Sequence, residues 1–248
     1  MNKKSKKGQV TLFIIIAILI VAVAVAGYFI YQNYQKVRQE RFAAEVAPIK
    51  AYVEDCLMKT GKDALILVGM QGGFIEPKLK VEAGEWNISY WIYNGQDKTP
   101  SLETISNEIS KHIETFLPFC TMAFYGFQNT YIIDEGTVKA TTTFRPGEVK
   151  ITVKWPLIIA RKMNNEKVRI EDFSVKLLVN LLDIYNLASK IVENEKSSQY
   201  LDLEMLANSN FDIAIMPYDN KTLIYAISDN KSIIYNAPYT FMFATKSK

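Results

Sequence analysis

The most distinctive feature of the hydrophobic pattern is an uninterrupted apolar run near the N-terminus. It covers residues 12–30 with the sequence LFIIIAILIVAVAVAGYFI. In helical conformation this run extends ~28 Å, which matches the hydrocarbon thickness of a bilayer. A buried core helix is the alternative, but a run that is apolar on every side at the N-terminus favours a membrane span. The pattern predicts a transmembrane helix over residues 9–34, continued by a helical extension over residues 35–47.

After Pro48 the pattern becomes that of a folded domain. Apolar residues recur at spacings of three and four over residues 49–68, which predicts an amphipathic helix that ends at Gly72–Gly73. Alternating runs bounded by turns such as Asn94–Gly95 predict strands. The predicted strands are residues 74–82, 86–93, 137–144, 149–159, 168–176, 211–216, 222–227 and 240–244, and further helices run from 99 to about 118 and over 177–193. This order predicts an α+β class, with antiparallel sheet packed with several helices in residues 48–248.

The charge distribution predicts the orientation of the membrane helix. Four lysines precede the apolar run, and without them 25 basic residues remain against 26 acidic ones. Lysines are retained on the cytoplasmic side, so residues 1–8 are predicted to be a cytoplasmic stub and residues 48–248 an extracytoplasmic domain. The balanced charge of that domain argues against a nucleic-acid partner, because nucleic-acid binders carry a clustered basic face. The four lysines are Lys3, Lys4, Lys6 and Lys7.

The junction before the apolar run carries a candidate processing site. The sequence KKGQVT over residues 6–11 resembles the class III signal peptide of archaeal type IV pilin-like proteins. The resemblance implies that a prepilin peptidase cuts after Gly8, leaves Gln9 as the new N-terminus and keeps the apolar helix. Many pilins carry a Glu that aids assembly where this chain has Phe13, so filament assembly does not follow from the junction. An uncleaved signal anchor is the alternative, whereas a cleaved secretory signal would have a shorter apolar run.

Cys56 and Cys120 are the two cysteines of the chain. Thiols outside the membrane are usually oxidised, and both residues lie on helices predicted to pack on one core. A disulfide between them would close a loop of about 65 residues and stabilise the domain by roughly 4 kcal/mol. Two buried free cysteines are the alternative. The sequence has no CxxC motif, and no metal site or cofactor is predicted.

No catalytic residue is predicted. His112 is the only histidine, and at the edge of an apolar helix face it is expected to be packed and hydrogen-bonded. A Ser–His–Asp set would have to use it, and no nucleophile motif accompanies it. The acidic pairs Glu54–Asp55 and Glu171–Asp172 are adjacent in sequence and are expected on the solvated surface. Glycosidase chemistry by two carboxylates that meet in space stays open.

Aromatic residues and glycosylation sequons are the remaining candidate features. Trp86, Tyr90, Trp91 and Tyr93 crowd one predicted strand, where they form either a sugar-binding platform or, as favoured here, part of the core. Three N-x-S/T sequons are compatible with an outer location. Their acceptor residues are Asn87, Asn220 and Asn230.

The outer domain contains a series of short motifs that together span most of the chain. They are Cys56–Leu57, Gln71–Gly73, Tyr90–Trp91, Pro100–Ser101, Cys120 and the segment FMFA at residues 241–244. This arrangement resembles uncharacterised membrane-anchored envelope proteins of small-genomed archaea, and the resemblance implies no activity. Typical archaeal pilins carry a smaller, β-rich outer domain.

Two functions are compatible with these features. The first is a single-pass cell-envelope protein with an extracytoplasmic binding or structural domain, such as a pilin-like or minor pilin subunit. Its expected partners are the lipid bilayer and other envelope or filament subunits. The second is a membrane-anchored envelope hydrolase that acts on sugar or peptide. A cleft with converging carboxylates would favour the hydrolase, and a flat or filled surface would favour the binding protein.

Overall fold

The computed structural model describes residues 7–198, 206–207 and 209–247, and the chain divides into two compact units after Pro48. The first unit contains α1 (Lys7–Glu45), one helix that covers the predicted membrane segment and most of the predicted extension. Of the predicted stub over residues 1–8, the first six positions lie outside the described residues.

The second unit contains two β-sheets and several helices, so the predicted α+β class is confirmed. The helices are α2 (Ala47–Met70), whose first residues precede the unit boundary, α3 (Leu102–Thr121), a 3₁₀ segment (Met122–Phe127) and α4 (Leu181–Ser198). The strands are β1 (Lys80–Ala83), β2 (Trp86–Tyr93), β3 (Gln96–Asp97), β4 (Tyr131–Glu135), β5 (Lys139–Arg145), β6 (Glu148–Arg161), β7 (Lys167–Leu177), β8 (Asp212–Pro217), β9 (Thr222–Ile234) and β10 (Ala237–Lys246).

The first sheet has the strand order β1-β2-β10-β9-β8, with β3 paired to β2. Most of its pairs are antiparallel, as predicted, but β10 runs parallel to β2. This pair departs from the prediction because β2 and β10 are joined by most of the domain and not by a hairpin, so no tight turn dictates their direction. Turns with positive φ at Asn94–Gly95 and Tyr235–Asn236 close the β2–β3 and β9–β10 hairpins.

The second sheet is built around the long strand β6. On one edge β6 pairs first with β5 and then with β4, and on the other edge it pairs with β7. Helix α3 covers the outer edge of β5: the Ser106 hydroxyl donates to the carbonyl of Thr142 at 2.6 Å, and the Glu114 carboxylate accepts from the Ala140 N–H at 3.0 Å. These bonds occupy backbone groups that would otherwise form an open sheet edge.

Helix α2 lies against both sheets, and two glycines make that approach possible. A Cβ at Gly61 would lie 2.8 Å from Cδ1 of Ile151 in β6, and a Cβ at Gly69 would lie 2.6 Å from the carbonyl oxygen of Thr240 in β10. Real Cβ atoms do not come that close to backbone oxygen, so a side chain at position 69 would push the helix away. The core of the domain therefore lies around α2.

The predicted strand over residues 74–82 is shorter than expected. The structure has only β1, because side chains bind the backbone of the preceding segment. Gln71 donates to the carbonyl of Ile75 at 2.6 Å, and Glu108 accepts from the N–H of the same residue at 2.9 Å. Backbone groups held this way are not available to a neighbouring strand.

The predicted strand over residues 222–227 is longer than expected, because β9 continues through a polar stretch to Ile234. Asp229 points inward, is almost fully buried and accepts hydrogen bonds from the Lys231 N–H at 3.0 Å and the Ser232 hydroxyl at 2.6 Å. The β9–β10 register shifts at this point, and the Asp229 carboxylate binds the nearby N–H and hydroxyl donors. These bonds allow β9 to continue through the polar residues.

Two helix ends also differ from the predictions. α3 was expected to stop near Pro118 but continues to Thr121, since a single proline removes only one backbone donor. α4 was expected from residue 177 but begins at Leu181, because residue 177 still belongs to β7 and Ile184 N–H bonds to the carbonyl of Asn180. Strand β4 was not predicted at all.

Candidate functional site

The segment Ile15–Tyr34 of α1 is long and apolar enough to cross a membrane, and none of it is buried within the protein. Large apolar side chains point outward on every side; Val23 and Ile30 are exposed at 71% and 70%. A core helix would bury such residues against other elements. The exposure therefore fits a membrane anchor, although an N-terminal signal sequence can meet the same criteria of length and composition.

Cys56 of α2 and Cys120 of α3 form a disulfide, with an S–S distance of 2.15 Å and a Cα–Cα distance of 5.7 Å. The ring of Tyr52, one turn earlier on α2, packs against Phe124 and Phe127. Its hydroxyl lies 3.4 Å from the carbonyl oxygens of both Cys120 and Thr121. A covalent bond and an aromatic cluster thus hold the end of α3 on α2.

The chain after the disulfide turns in an unusual left-handed conformation. Met122, Ala123 and Phe124 have φ values of 47°, 49° and 55°, a region that costs non-glycine residues about 1–2 kcal/mol each. Phe124 is fully buried against Trp155, whereas Phe119 and Tyr125 are 72% and 80% exposed. The burial of Phe124 offsets part of the cost, and the turn leaves an apolar patch at the surface.

The open face of the second sheet forms a groove with a volume of about 560 Å³, which we call the lysine groove. Four lysines line it: Lys50 from α2, Lys139 from β5, and Lys150 and Lys154 from β6. Three hydroxyl residues, Thr141, Thr152 and Ser174, lie between the lysines of the sheet. Its acids are Glu54 and Asp172, so the lining carries an excess of positive charge.

A second cleft, with a volume of about 740 Å³, lies where α4 meets the first sheet; we call it the Glu195 cleft. The Glu195 carboxylate accepts hydrogen bonds from the hydroxyl of Tyr225 and, at 3.3 Å, from that of Thr245. Burial and the bond to Glu195 raise the pKa of Tyr225 well above its usual range, so the phenol stays protonated.

The other acid of this cleft, Asp219, is held within its own turn. Its carboxylate accepts from the backbone N–H groups of Lys221 and Thr222 at 2.8 and 2.7 Å. The N–H of Lys221 lowers the pKa of Asp219, with smaller help from Thr222. Asp219, which also accepts from the Thr222 hydroxyl at 3.1 Å, therefore stabilises the β8–β9 turn, and Glu195 is the carboxylate that binds the hydroxyls of Tyr225 and Thr245.

His112 is packed, as expected, but its Nδ1 is buried without a hydrogen-bond partner in the described part of the chain. Its ring centre lies 4.4 Å from that of Phe116, and burial lowers its pKa while Asp63 acts in the opposite direction. Asp63 accepts a hydrogen bond from Tyr235 at 3.0 Å, and burial together with this bond raises the pKa of Tyr235 to about 12. No hydroxyl or thiol nucleophile bonds to His112 among the described contacts.

The aromatic strand β2 belongs to the core. Trp91 is fully buried, stacks on Phe243 with ring centres 4.7 Å apart and donates from Nε1 to the carbonyl of Gly72 at 2.9 Å. Tyr90 is also buried, while Trp86 and Tyr93 are half-buried. The strand therefore does not present a row of exposed rings to a sugar.

The three sequons differ in accessibility. Asn87 is half-buried in β2, and the amide of Asn230 in β9 donates to the Asp212 carboxylate at 2.5 Å. Asn220 and Asn230 are both exposed, and Asn220 lies in the turn between β8 and β9. The acidic pairs behave as surface groups: Asp55 pairs with Lys59 at 2.7 Å, and Glu171 with Arg169 at 2.6 Å.

The sequence pattern missed most of the residues that line the lysine groove and the Glu195 cleft; it singled out Glu54, Asp172 and Asn220, but only as surface acids and a sequon. Lys150, Thr152 and Lys154 do alternate with buried residues in β6, which is the signal for an open polar face. Their partners come from other strands, and Glu195 and Thr245 lie far apart in the chain, so no local pattern brings them together.

The predicted processing site and the question of metal binding remain. Gly8 and Gln9, the residues of the predicted processing site, lie within α1. Among the described residues, no group of three or more His, Cys, Asp or Glu could hold a metal ion. Comparison with protein-family models, with curated proteins and with solved structures gives no match.

Proposed function

We propose that this chain is a single-pass membrane protein of the cell envelope whose second unit is an extracytoplasmic binding domain. The observation that carries the proposal is α1, whose apolar side chains point outward over a length that suits a bilayer. Exposed apolar surface of that extent is unfavourable in water, and burial in lipid removes it. An anchor retained on the mature protein, and not a discarded leader, accounts best for a helix that continues beyond the apolar segment to Glu45.

Two features support an outside location for the folded domain. Four lysines precede the helix, and positively charged flanks stay on the cytoplasmic side. The Cys56–Cys120 disulfide persists in oxidising compartments and is rare in the cytosol. Both features favour the same orientation, with the N-terminus inside.

Protease treatment of intact cells tests this topology. The domain carries exposed lysines, so trypsin added outside should degrade it while leaving a cytoplasmic marker protein intact. Alkaline carbonate washing should leave the untreated chain in the membrane fraction. Full protection in intact cells, with cleavage only after lysis, would overturn the orientation, and release by carbonate would overturn the anchor.

The Glu195 cleft supports binding over glycoside hydrolysis. Hydrolysis by two carboxylates needs a facing pair, one as acid and one as base or nucleophile. Here one carboxylate faces Tyr225 and Thr245, and Asp219 is bound to backbone N–H groups of its turn. Hydroxyl and carboxylate groups in this arrangement suit hydrogen bonding to a ligand.

We further propose that the N-terminus is processed like a class III signal peptide, with cleavage between Gly8 and Gln9. Cleavage would remove all four lysines and free the helix to pack against neighbours, as in pilin-like filaments. Phe13 lacks a carboxylate to pair with a neighbour's N-terminal amine, which supports a minor-subunit role over a major filament subunit.

N-terminal sequencing of protein from native membranes tests the processing. A chain that begins at Gln9 is expected, Gly8→Val should retain the original N-terminus, and the control Gln9→Ala should still be cut. If every wild-type molecule keeps its original N-terminus, the helix is an uncleaved signal anchor and the pilin-like hypothesis is rejected.

A further inference from the structure

We propose that the lysine groove is a binding site for an acidic polysaccharide, in which Lys150 and Lys154 hold anionic groups and the row of hydroxyls between them binds the sugar. This inference rests on the proposed function, because an acidic envelope glycan is met only outside the membrane. It assigns a ligand class to a surface that the fold does not require for stability.

The strand register places like charges directly opposite each other. Lys139 of β5 is the cross-strand partner of Lys154 of β6, and Lys150 of β6 is the partner of Lys176 of β7. Directly opposed like charges destabilise a sheet, and hydroxyl residues would serve at these exposed positions without that cost. Repeated cross-strand lysine pairs on one face indicate that the face is adapted to an external anion.

The charges of the groove are only partly neutralised by the protein. Lys139 lies 3.7 Å from Glu114, which is outside the groove. Lys176, which is next to Lys150 but does not line the groove, lies 3.0 Å from Glu148. Among the described ion pairs, none involves Lys150 or Lys154, although Asp172 is opposite Lys154 in the register. These two lysines of β6 are therefore the principal cations available to a ligand.

The spacing of the groups favours a glycan. Lys150 and Lys154 are four residues apart on one strand, or ~13 Å, and Thr152 lies halfway between them. Across the sheet Thr152 is in register with Thr141 and Ser174, which makes a row of hydroxyl side chains with a strand spacing of ~4.8 Å. Alternating anionic and hydroxyl groups are the chemistry of a polysaccharide that contains acidic sugars.

The groove does not suit a nucleic acid equally well. Binding to single strands relies on aromatic rings that stack on bases, and the aromatic residue of the groove, Phe173, is almost fully buried. Duplex binding requires an extended basic surface, whereas the lining also contains Glu54 and Asp172. A nucleic acid is accordingly the competing ligand in the test below.

Binding is measured with the full chain in nanodiscs of zwitterionic phosphatidylcholine. The probe is polygalacturonate, with neutral dextran and duplex DNA as comparison ligands. The test variant combines Lys150→Gln with Lys154→Gln. The matched control combines Lys190→Gln with Lys231→Gln, which removes the same charge at exposed positions of α4 and β9. Thermal unfolding of each variant checks that the fold is intact.

Polygalacturonate should bind the wild type in a salt-dependent manner, while dextran should not. The test variant should bind about tenfold more weakly, and the control within about twofold of the wild type. Equal weakening by both variants, no binding of polygalacturonate, or tighter binding of duplex DNA would each overturn the inference. Because the nanodisc assay does not depend on cellular topology, its failure is distinct from failure of the protease test.

Discussion

The two sheets of the domain use their faces differently. The first sheet is built around stacked aromatic rings: Trp91 lies on Phe243, and Phe243 lies on Tyr225 with ring centres 4.9 Å apart. Its strand β2 is buried on both faces. The second sheet buries aliphatic residues against α2, and its polar side chains line the lysine groove together with Lys50 and Glu54 of α2. We infer that the first sheet supplies more of the stability, and that the second has a face free for recognition.

The largest expected contrast comes from one substitution in each sheet. Trp91→Ala should lower the free energy of unfolding by about 3–5 kcal/mol, because it removes a fully buried ring and leaves the carbonyl of Gly72 without its donor. Thr152→Ala in the second sheet should lower it by about 1 kcal/mol or less, because it removes only a hydroxyl that donates to the Thr141 carbonyl at 3.3 Å and a methyl group. Denaturant unfolding measures both, and similar losses would contradict the division between the sheets.

The disulfide should give the next largest effect, because it fastens α3, which flanks the second sheet, to α2. Replacing Cys56 and Cys120 together by Ser should lower the free energy of unfolding by about 2–4 kcal/mol. Reductant should destabilise the wild type by a similar amount and leave the double variant unchanged. A wild type that is insensitive to reductant would show that α3 is held by packing alone.

His112 on α3 should make stability depend on pH. Burial lowers its pKa in the folded state, so between that value and the unfolded value of about 6.5 the unfolded chain binds more protons. The contribution is fully present above pH ~6.5 and is lost as the pH falls through the unfolded pKa toward the folded one. His112→Gln should show a shallower loss of stability below pH ~6.5 in thermal unfolding. If stability falls equally steeply with pH in His112→Gln and in the wild type, other groups cause the pH dependence.

The smallest expected effect is a gain in stability on the open face. Lys150→Thr removes the repulsion from Lys176 and introduces a residue that favours strands, which should add a few tenths of a kcal/mol. Lys154→Thr is the matched comparison and should gain less, because Lys154 is opposite an acid as well as a lysine. Careful thermal unfolding at low salt resolves the difference, and a loss of stability in Lys150→Thr would contradict the like-charge argument.

Local signals in the sequence predict much of the fold. Ser101 caps α3 by accepting from the Thr104 N–H at 3.1 Å, and Asn94–Gly95 forms the expected turn. The predictions failed where distant residues decide the outcome: Asp229 lets β9 continue through polar residues, and Glu108 holds the segment that was expected to be a strand. The lysine groove could not be predicted for the same reason, because its lysine and hydroxyl side chains are brought together only by the register of β5, β6 and β7.

The position of β10 has a consequence for the timing of folding. β10 lies between β2 and β9, and its residues Phe241 and Phe243 complete the aromatic centre of the first sheet. Most of the domain is synthesised between β2 and β10, which at typical ribosomal rates takes on the order of ten seconds. During that interval β2 lacks its β10 partner, and Trp91 lacks the rings of Phe241 and Phe243. The first sheet is therefore complete only after β10 has been synthesised, and until then β2 and β9 each have an open edge that can pair with other strands.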